Sequence, residues 1–448
     1  MIINIPQQVN TAIDILEGAG YKAYVVGGAV RDALMDREPG DWDITCSALP
    51  SQVKEAFEGC RIIETGLKHG TVTVIVDGMS LEITTFRIDG GYSDNRHPDS
   101  VSFTADVQDD LSRRDFTCNA VAYSPGEGFV DPFSGIEDIK SKIIRCVGEP
   151  DVRFNEDGLR ILRALRFSGA LSFDIDPATA AAVHSNVSLL NGISRERVFS
   201  ELCKIITFAD KSFLEEYSDI FFNIIPELRP EQGCTQNHIR HIFDVWSHTC
   251  AAVENAKEDY LIRLAVLLHD IGKPACITED EKGVSHFYGH GKAGAAAADE
   301  IMHRFKASNK VRNYVVSLVE YHDFVPDKIS KKTYKKYLGR FGEEFIRDLF
   351  EVRRADVSAQ NPAFIEEVLE QNRKGLEILE EIIKEESCLT VKDLAVNGND
   401  LTGAGIAPSP EMGRILNRLF DEVISEKIPN EKSVLLSRAK ELYINGNS

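Results

Sequence analysis

The sequence predicts an α+β protein with an α/β head and a helical remainder. Segments 21–28, 70–76 and 81–88 are rich in Val, Ile, Thr and Tyr and are bounded or interrupted by glycine, as strands are. From about residue 150 the pattern changes, and the leucines of 156–167 recur at a period near 3.6 residues. A chain of 448 residues is long enough for two to four such domains.

The composition is that of an acidic globular protein. The 71 Asp and Glu residues outnumber the 51 Lys and Arg residues, giving a net charge of −20. This charge excludes a broadly basic nucleic-acid coat but allows local basic strips. No apolar run approaches the ~20 residues of a membrane span, and 1–10 lacks a secretory pattern. Nine scattered cysteines without Cys-x-x-Cys spacing fit a reducing cytoplasm.

The first predicted strand ends in a glycine pair. Gly27 and Gly28 precede AVRDALM, which is typical of a helix start. Glycine lets backbone N–H groups approach a phosphate, and the helix N-terminus favours negative charge. Arg31, one turn on, offers a guanidinium for phosphate oxygens. A simple tight turn is an equally good explanation for the glycine pair alone.

Two carboxylates follow in GDWDIT. Asp41 and Asp43 are spaced i and i+2, so on an extended strand they point to the same side. Their mutual repulsion is relieved by a cation such as Mg²⁺, and Glu82 can add a third ligand from a neighbouring strand. Such a trio can hold two metal ions for nucleotidyl transfer. The alternative for a bare Asp-x-Asp is a solvated turn.

GGAVRDALMDREPGDWDITCSALP resembles the signature of the DNA polymerase β superfamily, and specifically the tRNA nucleotidyltransferase (CCA-adding enzyme) and bacterial poly(A) polymerase family. The segments at 113–120 (RRDFTCNA) and 131–148 resemble the family's second and third motifs. EDGLRILRALRF at 156–167 resembles the motif of the bacterial-type, class II branch. ISRERVFSEL at 193–202 resembles the fifth motif, for which a bracing role is the simpler interpretation.

The resemblance implies a protein template for the incoming base. We expect Asp157 and Arg160 to lie on one face of a helix opened by Glu156. An acceptor and a fork of donors there can match the Watson–Crick edge of cytosine or adenine. The alternative is an intrahelical salt bridge between Asp157 and Arg160, worth ~0.3–0.5 kcal/mol.

The resemblance also implies phosphate and sugar contacts. Arg114 and Asp115 would bind the sugar and phosphates of the nucleotide, and Arg163 and Arg166 would face the triphosphate or the primer. The segment 86–103 is predicted to be a flexible loop of full length. In this family a full-length loop accompanies addition of the terminal A, which favours CCA or A addition over CC addition.

Eight of the eleven histidines lie within 235–360. In chain order the chemically notable residues are His248, His269, Asp270, His290, His322 and Asp356. Burying adjacent His and Asp is costly unless they are paired or bind metal. The order His, His-Asp, Asp resembles the HD phosphohydrolase domain, which implies a further divalent metal site at His248, His269, Asp270 and Asp356.

Two late segments are candidates for RNA contact. The segment 328–340 carries six basic residues and no acidic one, with Tyr334 and Tyr337 interleaved. It could follow an RNA backbone and stack aromatic rings, or it could be a solvated helix face. Eight Glu within 363–387 predict a helical connector. The Gly/Pro-rich 397–413 introduces a last helical piece that resembles the family's RNA-contacting region.

We therefore expect a cytoplasmic, Mg²⁺-dependent enzyme that adds CCA to the 3′ end of tRNA from CTP and ATP by a two-metal mechanism. The alternatives are an A-adding or poly(A) polymerase and a metal-dependent phosphohydrolase of phosphate esters or 2′,3′-cyclic phosphates. An inert RNA-binding protein is the least consistent with the motifs. The sequence does not determine the oligomeric state. The expected parts are a head at 1–145, a neck with the nucleotide-selecting helix at 146–232, an HD domain at 233–362 and a helical tRNA-binding region at 363–448.

Overall fold

A computed structural model describes the chain at 3–64, 70–91, 100–324, 330–384 and 390–446. Of the predicted loop at 86–103, the part at 92–99 lies outside the described residues. The loop prediction is wrong at the two ends, because Arg87–Asp89 and Val101–Phe103 form two short antiparallel strands. The chain forms two compact units, one of Met1–Ala209 with Glu216–Pro226 and one of Asp210–Glu215 with Glu227–Ser448. None of the helices in the described ranges is long and apolar enough to cross a membrane.

The first unit contains the predicted sheet. Its strands are β1 Ala23–Val26, β2 Asp43–Cys46, β3 Arg61–Ile63, β4 Thr71–Val76, β5 Met79–Thr85, β6 Arg87–Asp89, β7 Val101–Phe103, β8 Ala122–Ser124 and β9 Gly128–Val130. Seven strands form one sheet in the order β3-β4-β5-β2-β1-β8-β9, and β6 pairs with β7. Neighbours in the large sheet are antiparallel except β2 and β5, which are parallel. The strands predicted at 21–28, 70–76 and 81–88 are confirmed.

Alternation along the strands sets the core on one face of this sheet. In β4 the residues at 72, 74 and 76 are buried, and the intervening threonines and isoleucine are partly exposed. Those valines pack with Leu81 and Ile83 of β5 in one cluster. Side chains alternate between the two faces of a strand. The residues between the buried ones, including Glu82, therefore lie on the opposite face of the sheet from this core.

The helices of the first unit are α1 Gln7–Gly18, α2 Gly28–Leu34, α3 Pro50–Ala56, α4 Val107–Ser112, α5 Gly135–Ser141, α6 Pro150–Glu156, α7 Leu159–Leu171, α8 Pro177–Ser185, α9 Arg195–Ile206 and α11 Ser218–Ile224. A short parallel pair, β10 Ile143–Ile144 with β11 Asp174–Ile175, joins the head to the neck. The prediction that a helix begins at Glu156 is wrong, because Glu156 is the last residue of α6. Asp157 is extended there, with φ −143° and ψ 103°, and α7 begins at Leu159.

Over its described residues, the second unit is helical, as predicted, apart from one small hairpin. Helix α10 Lys211–Glu216 belongs to this unit except for its last residue. The other elements are α12 Val245–Asn255, α13 Tyr260–Leu268, α14 Lys273–Cys276, β12 Thr278–Glu279, β13 Ser285–His286, α15 His290–Arg304, α16 Asn309–Tyr321, α17 Lys331–Ser358, α18 Pro362–Lys384, α19 Gly398–Gly403, α20 Pro410–Ile424 and α21 Lys432–Gly446. The glutamate-rich segment is helical, as predicted, over its described residues 363–384, which lie in α18. The last three helices pack around their own apolar cluster, which includes Leu401, Leu419 and Leu435.

The basic segment lies in the first part of α17 at 331–340, and its residues 328–329 lie outside the described residues. The helix bends at Gly342, where φ is +83°. Tyr334 is fully buried and packs against Phe350, so it is not available to stack on RNA bases. Tyr337 lies against Tyr321. Helical periodicity turns one side of α17 into the core. Both interpretations of this segment, RNA contact and a solvated helix face, stay predictions for its exposed side.

Gly135 is a point where the head has no room for a side chain. A Cβ on this residue would lie 2.1 Å from the carbonyl oxygen of Thr117 and 2.7 Å from Val121. Gly135→Ala should therefore destabilise the first unit by about 1–3 kcal/mol, measured by urea unfolding. The matched control is Gly18→Ala at the end of α1, where nothing lies within 4 Å. Equal stability of the two variants would contradict this packing.

Candidate active site

The carboxylates of the head meet through the parallel strand pair. Asp43 is the register partner of Glu82 across β2 and β5, which confirms that Glu82 comes from a neighbouring strand. Asp41 precedes β2 and is not on the strand itself. The surrounding protein desolvates Asp43, and Glu82 and then Asp41 add negative charge, so the pKa of Asp43 is raised despite nearby Arg114. A cation here would relieve that repulsion.

The glycine turn lies directly against Arg114. Gly27 caps α2 with φ +74°, a conformation that other residues rarely adopt. A Cβ on Gly27 would lie 3.1 Å from Nη1 of Arg114. Arg114 also donates to Asp110, at 3.3 Å, while the hydroxyl of Thr45 on β2 donates to the same Asp110 oxygen at 3.2 Å. The sheet, the turn and Arg114 are thus held together by one buried carboxylate.

Arg31 is buried and already has partners. Its Nη1 donates to Asn119 at 2.7 Å, and its Nε donates to Asp32 at 2.8 Å. Asn119 in turn donates to Asp115 at 3.2 Å. Arg31 is therefore connected through Asn119 to the second predicted motif, and α2 is fixed relative to Asp115.

Asp115 connects the head to α7. Nε of Arg163 donates to Asp115 at 2.8 Å. Burial would raise the pKa of Asp115, but Arg163 holds that pKa below its usual range. A buried carboxylate of this kind stays ionised because its partner is close and well oriented.

Three arginines surround one aromatic ring. The guanidinium carbons of Arg31, Arg163 and Arg166 lie 5.3, 5.3 and 4.3 Å from the centroid of Phe167. Such contacts are attractive because the ring face is negative. Phe167 also makes an edge contact with Phe116 at 5.8 Å. The sequence did not indicate this role for the ring of Phe167.

The two residues predicted to select the base have separate partners. Asp157 pairs with Arg197 of α9 at 2.8 Å. Arg160 pairs with Glu156 at 2.5 Å and donates to the carbonyl of Arg113 at 2.9 Å. The alternative salt bridge between Asp157 and Arg160 is wrong, because Asp157 lies before α7 rather than on it.

The helix α9 braces this region, as expected. Besides the Arg197 contact, Glu201 pairs with Arg166 at 3.2 Å. Two ion pairs thus tie α9 to Asp157, just before α7, and to Arg166 within α7. The fifth motif therefore holds Asp157, one of the two predicted template residues, in place.

In the second unit, six residues form two groups that could each hold a metal ion. One group is His248, His269 and Asp356, and the other is Asp270, His290 and His322, with ligand atoms within 4.8 Å of one another in each. Burial alone would lower the pKa of His269, but Asp270 and Asp356 raise it to about 9. Those charges favour a cation at this position. The predicted ligand set omitted His290 and His322, because only the His, His-Asp, Asp order was used.

Nucleotidyl transfer needs carboxylates that bind metal next to groups that hold a triphosphate, and the head supplies both. The fold and the site therefore define the chain as a nucleotidyltransferase. Three family models match it: "Poly A polymerase head domain" at 23–145, "Probable RNA and SrmB- binding site of polymerase A" at 172–212 and "tRNA nucleotidyltransferase domain 2 putative" at 277–439.

The CCA-adding enzyme of Lactobacillus helveticus (strain DPC 4571) is 33% identical over 441 residues, which cover 94% of this chain and 94% of that protein. The CCA-adding enzyme of Streptococcus thermophilus (strain CNRZ 1066) is 29% identical, with 97% of each chain covered. The crystal structure of the Bacillus stearothermophilus CCA-adding enzyme in complex with CTP has a TM-score of 0.74 and 28% identity, with 98% of each chain covered. The chain belongs to the CCA-adding enzyme family of tRNA nucleotidyltransferases. The predicted family and fold class are thereby confirmed.

Phe167→Leu tests the arginine cluster. It removes three cation–π contacts, each worth about 0.5–1 kcal/mol, and should raise the KM for nucleotides about 10-fold while the protein remains folded. Steady-state kinetics and a thermal melt check this. The control is Phe208→Leu, at a phenylalanine that is 47% exposed. An unchanged KM for Phe167→Leu would show that the ring does not order the arginines.

Proposed function

We propose that this protein adds C, C and A to the 3′ end of tRNA, using CTP and ATP and releasing pyrophosphate. The observation that carries this proposal is the register of β2 and β5, which places Asp43 opposite Glu82 beside the glycine turn. Membership of the CCA-adding enzyme family supports CCA addition over an A-adding or poly(A) activity. Free cysteines at eight described positions are consistent with a cytoplasmic location.

Asp41, Asp43 and Glu82 are proposed to bind two Mg²⁺ ions. The donor set fits, because all three residues offer carboxylate oxygens, which Mg²⁺ prefers. The raised pKa of Asp43 is consistent with a position that needs positive charge. Bound there, the ions would lower the pKa of the attacking 3′ hydroxyl and neutralise charge on the leaving pyrophosphate. The three carboxylates would determine where the two positively charged ions bind.

The phosphates are proposed to lie between the glycine turn and the arginines. Gly27 and Gly28 let the backbone of α2 approach the triphosphate. Arg31 and Arg114 lie beside that turn, and Asp115 orients Arg163. Arg166 completes the group across the ring of Phe167. Positive charge is thus preorganised where negative charge develops during transfer.

Asp157 and Arg160 are proposed to choose the base. The side chain of Asp157 accepts from the exocyclic amino group of cytosine or adenine, and Arg160 donates to their ring acceptors. Uracil and guanine have a carbonyl acceptor in place of the amino group and a ring N–H donor in place of the ring acceptor, so they do not match these two side chains. In the free protein both residues are held by ion pairs, Asp157 by Arg197 and Arg160 by Glu156. When a nucleotide binds, Asp157 and Arg160 would exchange these ion-pair partners for the base, so their side chains would not have to be ordered first.

The four parts of the chain are proposed to divide the work. The head at 1–145 carries the chemistry, the neck at 146–232 selects the nucleotide, and 363–448 binds tRNA. The part at 233–362 is proposed to hold a divalent metal with His248, His269, Asp270 and Asp356. That cluster supports phosphate-ester hydrolysis as a second candidate function, separate from the transferase.

Asp43→Asn tests the metal site of the head. Loss of one metal-binding carboxylate should lower incorporation of both C and A by roughly 1,000-fold or more, since several kcal/mol of charge stabilisation are lost. Each nucleotide is supplied in turn to tRNA lacking CCA, and tRNA binding is measured by gel shift. The control is Asp14→Asn on the exposed side of α1. Normal incorporation by Asp43→Asn would refute the mechanism. Incorporation of A alone by the unchanged enzyme would favour the A-adding alternative.

Asp157→Ala tests base selection. Loss of a charged hydrogen-bond acceptor, worth about 1.5–3 kcal/mol, should reduce the preference for CTP and ATP over UTP and GTP by roughly 10- to 100-fold. Competition among the four nucleotides measures this. The control is Asp174→Ala at an exposed neck position. A preference that stays the same in Asp157→Ala would remove this residue from the template.

A further inference from the structure

We propose that one surface of the second unit stacks an unpaired base of RNA. We call it the arginine–aromatic surface, and it consists of Tyr321, Tyr337, Arg340 and Phe341. This inference rests on the proposed function, because tRNA is the RNA that the surface would bind, and it adds a contact outside 363–448. Of the two interpretations of the basic segment, it supports RNA contact over a solvated helix face.

The three rings of this surface contact one another where α16 ends beside the first part of α17. The ring centroid of Tyr321 lies 5.6 Å from that of Tyr337 and 5.5 Å from that of Phe341. The centroids of Tyr337 and Phe341 are 6.2 Å apart. All three residues are partly exposed, whereas Tyr334, one turn earlier on α17, is buried. The rings thus form a continuous aromatic group with a side open to solvent.

Arg340 lies on this aromatic group. Its guanidinium carbon is 4.6 Å from the ring centroid of Phe341, which is a cation–π contact. Its Nη1 donates to the hydroxyl of Tyr321 at 3.2 Å. The residue is itself exposed. These two contacts hold the guanidinium against the rings, and a planar guanidinium has a second face on which a base can stack.

The positive charge of Arg340 is available to a ligand. Within the part of the chain that the structure describes, Arg340 has no carboxylate partner, and the next acidic residue on α17, Glu343, pairs with Arg347 at 2.7 Å. The four described lysines of the basic segment, in contrast, each lie within 3.8 Å of a carboxylate. Arg340 is therefore the cation of this segment that can bind a phosphate without first leaving an acidic residue.

The chain next to Arg340 leaves room for a ligand. Gly342 is exposed, and a Cβ built on it would have no atom within 4 Å. Its φ of +83° breaks the regular helix directly after Phe341. No side chain of the described residues therefore covers the surface from this direction.

Unpaired RNA matches the chemistry of this surface. A nucleotide carries a flat base that stacks on rings and on guanidinium planes, and a phosphate that pairs with the same arginine. An apolar protein partner would bury the charge of Arg340 without compensation, and an acidic peptide would pair with the charge but leave the rings uncovered. Bases inside a duplex are already stacked on one another, so the surface favours single-stranded or looped nucleotides.

The test compares two substitutions of Arg340 in the full-length protein. Arg340→Lys keeps the charge and removes the planar face, and Arg340→Ala removes both. The control is Lys310→Ala, which removes an exposed positive charge near the start of α16. A thermal melt checks that each variant folds. Binding of fluorescein-labelled oligouridine and of a labelled RNA duplex is measured by fluorescence anisotropy over a range of salt concentrations.

We expect the affinity for oligouridine to fall about 10-fold in Arg340→Ala and about 5-fold in Arg340→Lys, because stacking contributes more than the charge does. The salt dependence should become shallower in Arg340→Ala and stay the same in Arg340→Lys, since lysine still displaces a counterion. Duplex RNA should bind equally well to Arg340→Lys and to the unchanged protein. Lys310→Ala should bind oligouridine as the unchanged protein does.

Crosslinking locates the contact. A tRNA transcript that lacks CCA and carries 5-iodouridine is irradiated with the protein, because this base forms adducts with aromatic side chains on which it stacks. We expect an adduct on Tyr337 or Phe341, and its loss in Arg340→Ala. Binding and crosslinking need no nucleotide addition. If the unchanged protein crosslinks RNA here but adds no nucleotide, the proposed function fails and this surface stands.

Two results would overturn the inference. If Arg340→Lys binds oligouridine as tightly as the unchanged protein, charge alone explains the contact and no base stacks there. If adducts form only on residues outside the arginine–aromatic surface, the RNA lies elsewhere.

Discussion

The parallel pairing of β2 with β5 is the constraint on which the head depends. In an otherwise antiparallel seven-stranded sheet, this one pair sets Asp43 opposite Glu82. Slipping either strand by one residue would turn its carboxylate into the core and expose its apolar neighbours, Ile44 or Ile83. The hydrophobic core thus fixes the register, and the register brings like charges together. Burial of apolar residues supplies the free energy that holds the carboxylates in a repulsive arrangement.

The arginines beside these carboxylates are already paired in the free protein. Arg114 contacts Asp110, Arg163 contacts Asp115, and Arg166 contacts Glu201. Unpaired, such half-buried charges would be costly. Paired, they are held in place before any nucleotide arrives, and Arg163 and Arg166 lie against the ring of Phe167. A bound triphosphate has to compete with existing carboxylates, which favours ligands with several negative charges over those with one.

Much of this molecule is predictable from its sequence, since periodicity and glycine placement depend on local chemistry. The strands at 21–28 and 70–76 and the carboxylate motif follow from such patterns. The start of α7 does not, because Asp157 and Gly158 continue a helix-like pattern and only the backbone shows the break. Burial of Tyr334 depends on which side of α17 faces a neighbour. The approach of His290 and His322 to Asp270 depends on tertiary packing, so it cannot be predicted from the spacing of these residues along the chain.

The lysines of the basic segment are linked to acidic residues of the same unit. Lys331 pairs with Glu381 at 2.9 Å, Lys336 with Asp421 at 2.8 Å, and Lys335 with Glu426 at 3.2 Å. RNA that reaches this surface has to displace those carboxylates as well as release its own counterions. Added salt weakens both sets of ion pairs, so their effects on affinity partly cancel. RNA binding at this surface would therefore depend less steeply on ionic strength than the number of its lysines implies.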